Sequence, residues 1–377
     1  MPTGEPAPSL LLELPQECLL AVLQCLAPDD LRSLFSAARA HPTLRKAAAA
    51  VALHSIRAKM TSGQQADSFL QYLRKHSKRI NCADLKGSRW CTGGVDCYKY
   101  AVTLRELPPR LRLRILLLDS VRLQLQPGRW GDMSKGLLGG AAIAGLKKLQ
   151  LWDCGLSDVG TAEDLAAALV KLPAGLEHLS IRRVNGRNRY GENVAFPMCV
   201  LERLQALTHL ELSDLEVMGP DMPDLALQPL QALTRLADLR LLCVEGGPLT
   251  ASMLSGMTSL TRLEVTGDLY ASRVGGIDLM EPEADVLDGK TQLQHLSFTE
   301  CDLYGRKAAA LLSHLQHMQQ LTHLELCNSL RLDAKSGLAA LTASSKCSTW
   351  TSVSAPCRQV HGSMCSLPAG SFHSCSR

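Results

Sequence analysis

Apolar residues recur along this chain in a fixed frame: leucine at the first, fourth and sixth positions of a short segment, with polar residues between. The frame reads Leu146-x-x-Leu149-x-Leu151, Leu176-x-x-Leu179-x-Ile181, Leu207-x-x-Leu210-x-Leu212 and Leu236-x-x-Leu239-x-Leu241. It continues as Leu260-x-x-Leu263-x-Val265, Leu293-x-x-Leu296-x-Phe298 and Leu321-x-x-Leu324-x-Leu326. A looser copy starts at Leu113, with Leu116 and Leu118, and a degenerate one at Ile80, with Ala83 and Leu85. From Leu113 onward the starts are separated by 33, 30, 31, 29, 24, 33 and 28 residues. Leucines at positions four and six point one way, as alternate residues of a short strand must, and positions three, five and seven point the other. The return segments carry apolar residues three apart: Leu201, Leu204 and Leu207; Leu230, Leu233 and Leu236; Leu315, Met318 and Leu321. That spacing predicts a short helix or 3₁₀ turn. One such unit cannot bury its own apolar face, so successive units stack around a shared core and their strands pair in parallel.

The N-terminal stretch follows a different period. Leu19, Leu20, Leu23 and Leu26 fall at steps of three and four, which predicts a helix. Pro28, Asp29 and Asp30 end it and restart a second helix that turns Leu31, Leu34 and Phe35 inward. Residues 47 to 62 are alanine-rich and helical in tendency. The basic run Arg74 to Arg79 reads as the solvated end of a helix, where cations suit the dipole. Gly87 to Tyr100 reads as a loop. Two polar insertions, Asn185 to Gly191 and Gly267 to Lys290, are expected on a binding side. Residues 343–377 lack periodicity and read as a disordered tail.

Composition narrows the classes. Apolar residues make up 46% but aromatics only 4%, so leucine and alanine must carry the packing. A formal charge of +4 over 377 residues demands neither nucleic acid nor an anionic membrane. The start MPTGEPAPS lacks the basic opening of a secretory signal, so the expected setting is cytoplasmic, nuclear or both. The cysteines form no C-x-x-C pair, and buried, reduced thiols are the expectation.

The repeat period and frame resemble the leucine-rich-repeat family. The resemblance implies an α/β solenoid with a parallel sheet on a concave side and short helices or 3₁₀ turns on a convex side. The segment Leu14-Pro15-Gln16-Glu17-Cys18-Leu19-Leu20, followed by Val22 to Leu26 and Asp29-Asp30-Leu31, resembles the F-box, a small all-α module; Ala37-Ala38 stands where that family has valine and cysteine. This divides the chain into an F-box-like module at 10–50, a helical linker at 51–79, a solenoid of eight or nine repeats at 80–342, and the tail. Proteins with this arrangement are non-catalytic substrate-recruiting subunits of ubiquitin ligases. By resemblance, Leu14, Pro15, Leu19, Leu20, Leu23, Leu26 and Leu31 dock a Skp-type adaptor, and through it a cullin, while the repeats hold a protein substrate. The chain would act as a monomer within that complex. The alternative is a scaffold without ligase coupling, such as a cytoskeletal or axonemal component or a small-GTPase regulator.

No phosphate loop, nucleophile elbow or H-E-x-x-H occurs in the sequence, so neither enzyme activity nor a cofactor is expected. Histidine recurs at the third repeat position as His178, His209, His295 and His323. In-register strands would set His178 beside His209 and His295 beside His323; a metal site is the less economical reading of these pairs. His209 is expected to be exposed. The substrate-binding candidates on the outward positions are Trp152, Asp153, Arg182, Arg183, His209, Glu211, Arg240, Arg262, His295 and Glu325. Trp152 with Arg182 and Arg183 reads as a basic, aromatic-anchored patch suited to a partner of acidic character. This mixed surface suits a protein better than a lipid or nucleic acid.

Overall fold

A computed structural model describes residue 18 and most of 55–351, with breaks at 92–97, 105–106, 124–140, 157–161, 185–194, 219–226, 246–248, 268–286, 305–313, 328–329, 332–348 and at single residues 288, 300, 302 and 316. The seven adaptor-docking candidates from Leu14 to Leu31 lie outside the described residues, as do most of the two insertions. Residues up to Leu149 form one compact unit and those from Gln150 onward a second.

In the first unit, strands β1 (Ser55–Lys59), β2 (Cys82–Lys86) and β3 (Ile115–Asp119) pair in parallel, with Ile56, Ala83 and Leu116 in one row. Helix α1 (Gly63–His76) lies between β1 and β2 in sequence. Ser62 caps it by accepting the Gln65 N–H, and Gln65 Oε1 accepts the N–H of Thr61, one residue before the position a capping box would use. Arg74, Lys75 and His76 occupy its last turn, as the dipole argument anticipates.

Two elements differ from the sequence expectation. Ser55–Lys59 is a strand rather than a continuing helix, because β2 offers it a backbone partner that alanine propensity cannot outweigh. The stretch expected to be a loop contains an antiparallel pair, Arg89–Cys91 with Tyr98–Tyr100. At its start, a Cβ on Gly87 would fall 2.2 Å from the Ser120 carbonyl oxygen, so only glycine fits this approach.

Strand β4 (Lys148–Trp152) falls at the division between the units. In the second unit, β5 (His178–Arg182), β6 (His209–Met218), β7 (Asp238–Glu245), β8 (Arg262–Thr266), β9 (His295–Thr299) and β10 (His323–Cys327) follow one another as parallel neighbours. Helix α2 (Ala162–Leu169) precedes β5, and α3 (Ala251–Ser255) precedes β8. A further strand, β11 (Thr349–Thr351), pairs with β10, so part of the stretch expected to be disordered continues the sheet.

One contact repeats from copy to copy. The carbonyl at repeat position two accepts two N–H groups from the next copy: Glu177 from Thr208 and His209, Thr208 from Ala237 and Asp238, Ala237 from Thr261 and Arg262. Thr261 and Gln294 continue the series. This fork fixes the register, so position four meets position four and position six meets position six throughout.

Leu179, Leu210, Leu239, Leu263 and Leu296 are all fully buried, as are Ile181, Leu212, Leu241 and Val265. The return segments confirm the three-residue spacing. Met198–Arg203 and Gln228–Ala232 are 3₁₀ helices. Leu204 and Leu207 donate to the carbonyls of Leu201 and Leu204, and Leu233 and Leu236 repeat the pattern. A 3₁₀ turn eclipses residues i and i+3, so every third residue, each of these leucines, reaches the core.

Candidate binding face

Positions three, five and seven of the second unit's strands project away from the leucine core, and the register aligns them in rows across the sheet. At position eight a left-handed kink follows β4 and β5 and falls within β6 and β7: Asp153, Arg183, Asp214 and Cys243 have φ of 53°, 46°, 51° and 51°. A non-glycine residue in this conformation costs about 1–2 kcal/mol. The cost is offset by cross-repeat bonds, from Asp153 N–H to the Arg182 carbonyl and from Arg183 N–H to the Ser213 carbonyl.

These kinks line up charges of alternating sign. Arg183 lies 3.6 Å from Asp153 and 3.4 Å from Asp214, and Arg182 lies 3.8 Å from Asp214. The patch expected to be basic is therefore neutralised where it stands. Trp152 points outward as its register demands, and its Nε1 donates to Ser180 Oγ at 2.8 Å, which fixes the ring against the next strand.

From Trp152 a chain of polar contacts crosses the face. Ser180 Oγ donates to Glu211 Oε2 at 3.1 Å, and His209 Nε2 stands 3.9 Å from the same oxygen. His209 Nδ1 meets Asp238 Oδ2 at 2.9 Å. Arg240 grips Asp238 with both Nε and Nη2, at 3.0 and 2.9 Å. Arg262 Nη2 reaches Glu264 Oε2 at 2.7 Å, and its Nε stands 3.9 Å from Asp238. Asp238–Arg240 and Arg262–Glu264 pair within one strand, and the register joins these pairs to the groups on neighbouring strands.

Burial and pairing set the protonation. Burial pushes His209 down, but its bonds to Asp238 and Glu211 outweigh this and raise it above 6.5. Burial pushes Asp238 up, yet His209 and Arg240 hold it at about 2. His209 and then Ser180 hold Glu211 below its ordinary value, against burial. The bond to Asp238 raises Arg240. His209, expected to be exposed, retains only 15% of its side-chain surface, because Asp238 and the ring of His178 cover it.

The anticipated histidine pairs form, His178 on His209 at 3.8 Å between ring centroids and His295 on His323 at 4.0 Å. Burial, followed by the charge of Arg262, lowers His295 to about 4. Its Nε2 is buried without a hydrogen-bond partner. Beside it, Ser297 Oγ donates to Glu325 Oε2 at 3.2 Å.

All ten predicted face residues thus lie on β4, β5 and β6–β10 or their position-eight kinks. Trp152, His209, Glu211, Arg240 and Arg262 enter one network; Asp153, Arg182 and Arg183 form the neighbouring ion row; His295 and Glu325 sit at the far end. Asp238, Glu264, Ser180 and Ser297 join these contacts from the same outward positions that the repeat frame gives in the sequence. Among the described residues, no group of three or more histidine, cysteine, aspartate or glutamate side chains is placed to hold a metal ion. Among them, too, no helix is long and apolar enough to cross a membrane.

No family model matches the chain, and no curated protein matches it. Among solved structures, an internalin (inlF) from Listeria monocytogenes str. 4b F2365 is similar at 16% identity and a TM-score of 0.37, over 88% of this chain and 92% of that one. The repeating parallel-strand architecture stands on the strand register itself.

Proposed function

We propose that this chain is a non-catalytic, substrate-recruiting subunit of a Skp–cullin–F-box ubiquitin ligase. The outward face of the repeats holds a protein substrate, and the N-terminal segment docks the adaptor. The observation that carries the binding half is the network from Trp152 to Glu264. Polar side chains on successive strands are tied in fixed rotamers on a face that their own core does not use, so a partner pays little ordering entropy there. The coupling half rests on the F-box resemblance of Leu14-Pro15 and the leucine face after it.

The test is co-purification of the full-length chain with a Skp-type adaptor. Leu14→Ala combined with Pro15→Ala should cut adaptor recovery by at least about tenfold, a loss on the order of 1.4 kcal/mol. The circular dichroism of the repeats should stay unchanged. Undiminished recovery, or none from the parent chain, removes the ligase reading and leaves a protein-binding scaffold without ligase coupling.

A further inference from the structure

Position five of β6–β10 reads Glu211, Arg240, Glu264, Ser297 and Glu325, one residue per strand in register. Neighbouring strands lie about 4.8 Å apart, so the three glutamates, on every second strand, recur at intervals of about 10 Å. Each is held at one oxygen. Ser180 donates to Oε2 of Glu211, Arg262 to Oε2 of Glu264, and Ser297 to Oε2 of Glu325. These bonds fix the carboxylates while leaving acceptor capacity on each, since a carboxylate has about four lone-pair sites. Beside them, position seven carries the uncharged Ser213, Leu242, Thr266 and Thr299.

The charge of this face opposes that of the chain. Positions three and five of β6–β10 carry four carboxylates (Glu211, Asp238, Glu264, Glu325) against two guanidiniums (Arg240, Arg262). That is a net −2 with the histidines neutral and −1 with His209 protonated, on a chain whose formal charge is +4. At the other end, Arg182 and Arg183 are balanced by Asp153 and Asp214 and lend no positive field.

We propose that this face docks a basic protein segment in extended conformation, carrying lysine or arginine at every third residue and lying across the strands. The inference rests on the reading of the repeats as a protein-binding face and names the chemistry of the partner. An extended chain advances about 3.3 Å per residue. Polyproline II advances about 3.1 Å with three residues per turn, so residues i, i+3 and i+6 recur on one side every 9–10 Å or so. That interval matches the glutamates. Arginine suits them best, because its fork meets a carboxylate in two parallel bonds. The intervening residues lie against Arg240, Ser297 and the uncharged row, which favours small neutral side chains there.

The test is fluorescence anisotropy on the full-length chain with three labelled peptides. One repeats Arg-Ser-Pro three times; the second has the same composition with its arginines contiguous; the third replaces each arginine of the first by glutamate. The spaced peptide should bind at least about fivefold more tightly than the contiguous one, a gap near 1 kcal/mol. The glutamate peptide should bind more weakly than either. Glu325→Gln removes a carboxylate that pairs with no arginine among the described residues and should weaken the spaced peptide by about threefold. Glu211→Gln, Glu264→Gln and Glu325→Gln together should weaken it by at least about tenfold. Circular dichroism confirms the fold of each variant. Equal binding of spaced and contiguous peptides, preference for the glutamate peptide, or parent-like binding by Glu325→Gln overturns the proposal. None of these outcomes touches adaptor co-purification, so failure here is distinguishable from failure of the ligase reading.

Discussion

His178 and His209 stack at 3.8 Å with 1° between their rings, and His295 and His323 stack at 4.0 Å with 5°. Both pairs occupy repeat position three on neighbouring strands of one face, yet their protons answer to opposite neighbours. On the strand after His209 stands Asp238, at 2.9 Å, and it favours the imidazolium. On the strand before His295 stands Arg262, which joins burial in disfavouring it. The repeat supplies the stacked geometry, and burial together with the residue at the same position one strand away sets the charge. A solenoid face is thus written in two layers, register first and neighbour identity second.

The largest effect should come from breaking the register that both stacks depend on. Leu210 is fully buried beside His209, and Leu210→Ala should cost about 2–5 kcal/mol in denaturant unfolding through lost burial and the cavity left behind. Next is Asp238, which holds His209 and Arg240 together. Asp238→Ala should cost on the order of 2–3 kcal/mol and bring the His209 titration down towards that of an ordinary histidine. Removing the other partner, His209→Ala, should cost about 1–2 kcal/mol, because Asp238 keeps its arginine. A cost at His209 equal to that at Leu210 would mean that the two sides of the strand are misassigned.

The pH dependence sharpens the contrast. His209 lies above 6.5 when folded, so its contribution is complete below 6.5 and fades as pH rises through the folded value. Asp238, at about 2 against an ordinary 3.8, contributes above 3.8 and is lost as pH falls through about 2. His295 does the reverse of His209. With a folded value of about 4, it resists the proton that the unfolded chain accepts, so stability declines as pH falls from 6.5 towards 4. His295→Gln should flatten that decline, measured as the unfolding midpoint at pH 6.5 and at pH 4.5.

The first layer was legible in the sequence. Leucines at positions one, four and six announced strand, core and register, and the register placed His178 beside His209 before any coordinates did. The three-residue leucine spacing announced the 3₁₀ returns. Ser55–Lys59 was not legible, because its frame carries Ile56 and Ala58 where other copies carry leucine, and the alanines before it argue for helix. Nor was Thr349–Thr351, whose pairing comes from the edge of β10 and not from its own pattern. The second layer was mostly hidden. Arg182 and Arg183 read as a free basic patch because Asp153 and Asp214 are about thirty residues away in each direction and become partners only through the kinks at position eight. His209 read as exposed for the same reason: Asp238 belongs to the next copy.

The most direct test of this two-layer account is a histidine-selective NMR titration of the full-length chain, resolving His209 and His295 by substitution of each in turn. The account predicts His209 titrating above 6.5 and His295 near 4, with the gap between them narrowing when Asp238 and Arg262 are both replaced by alanine. Two histidines that titrate together in the parent chain, or in the reverse order, would contradict it.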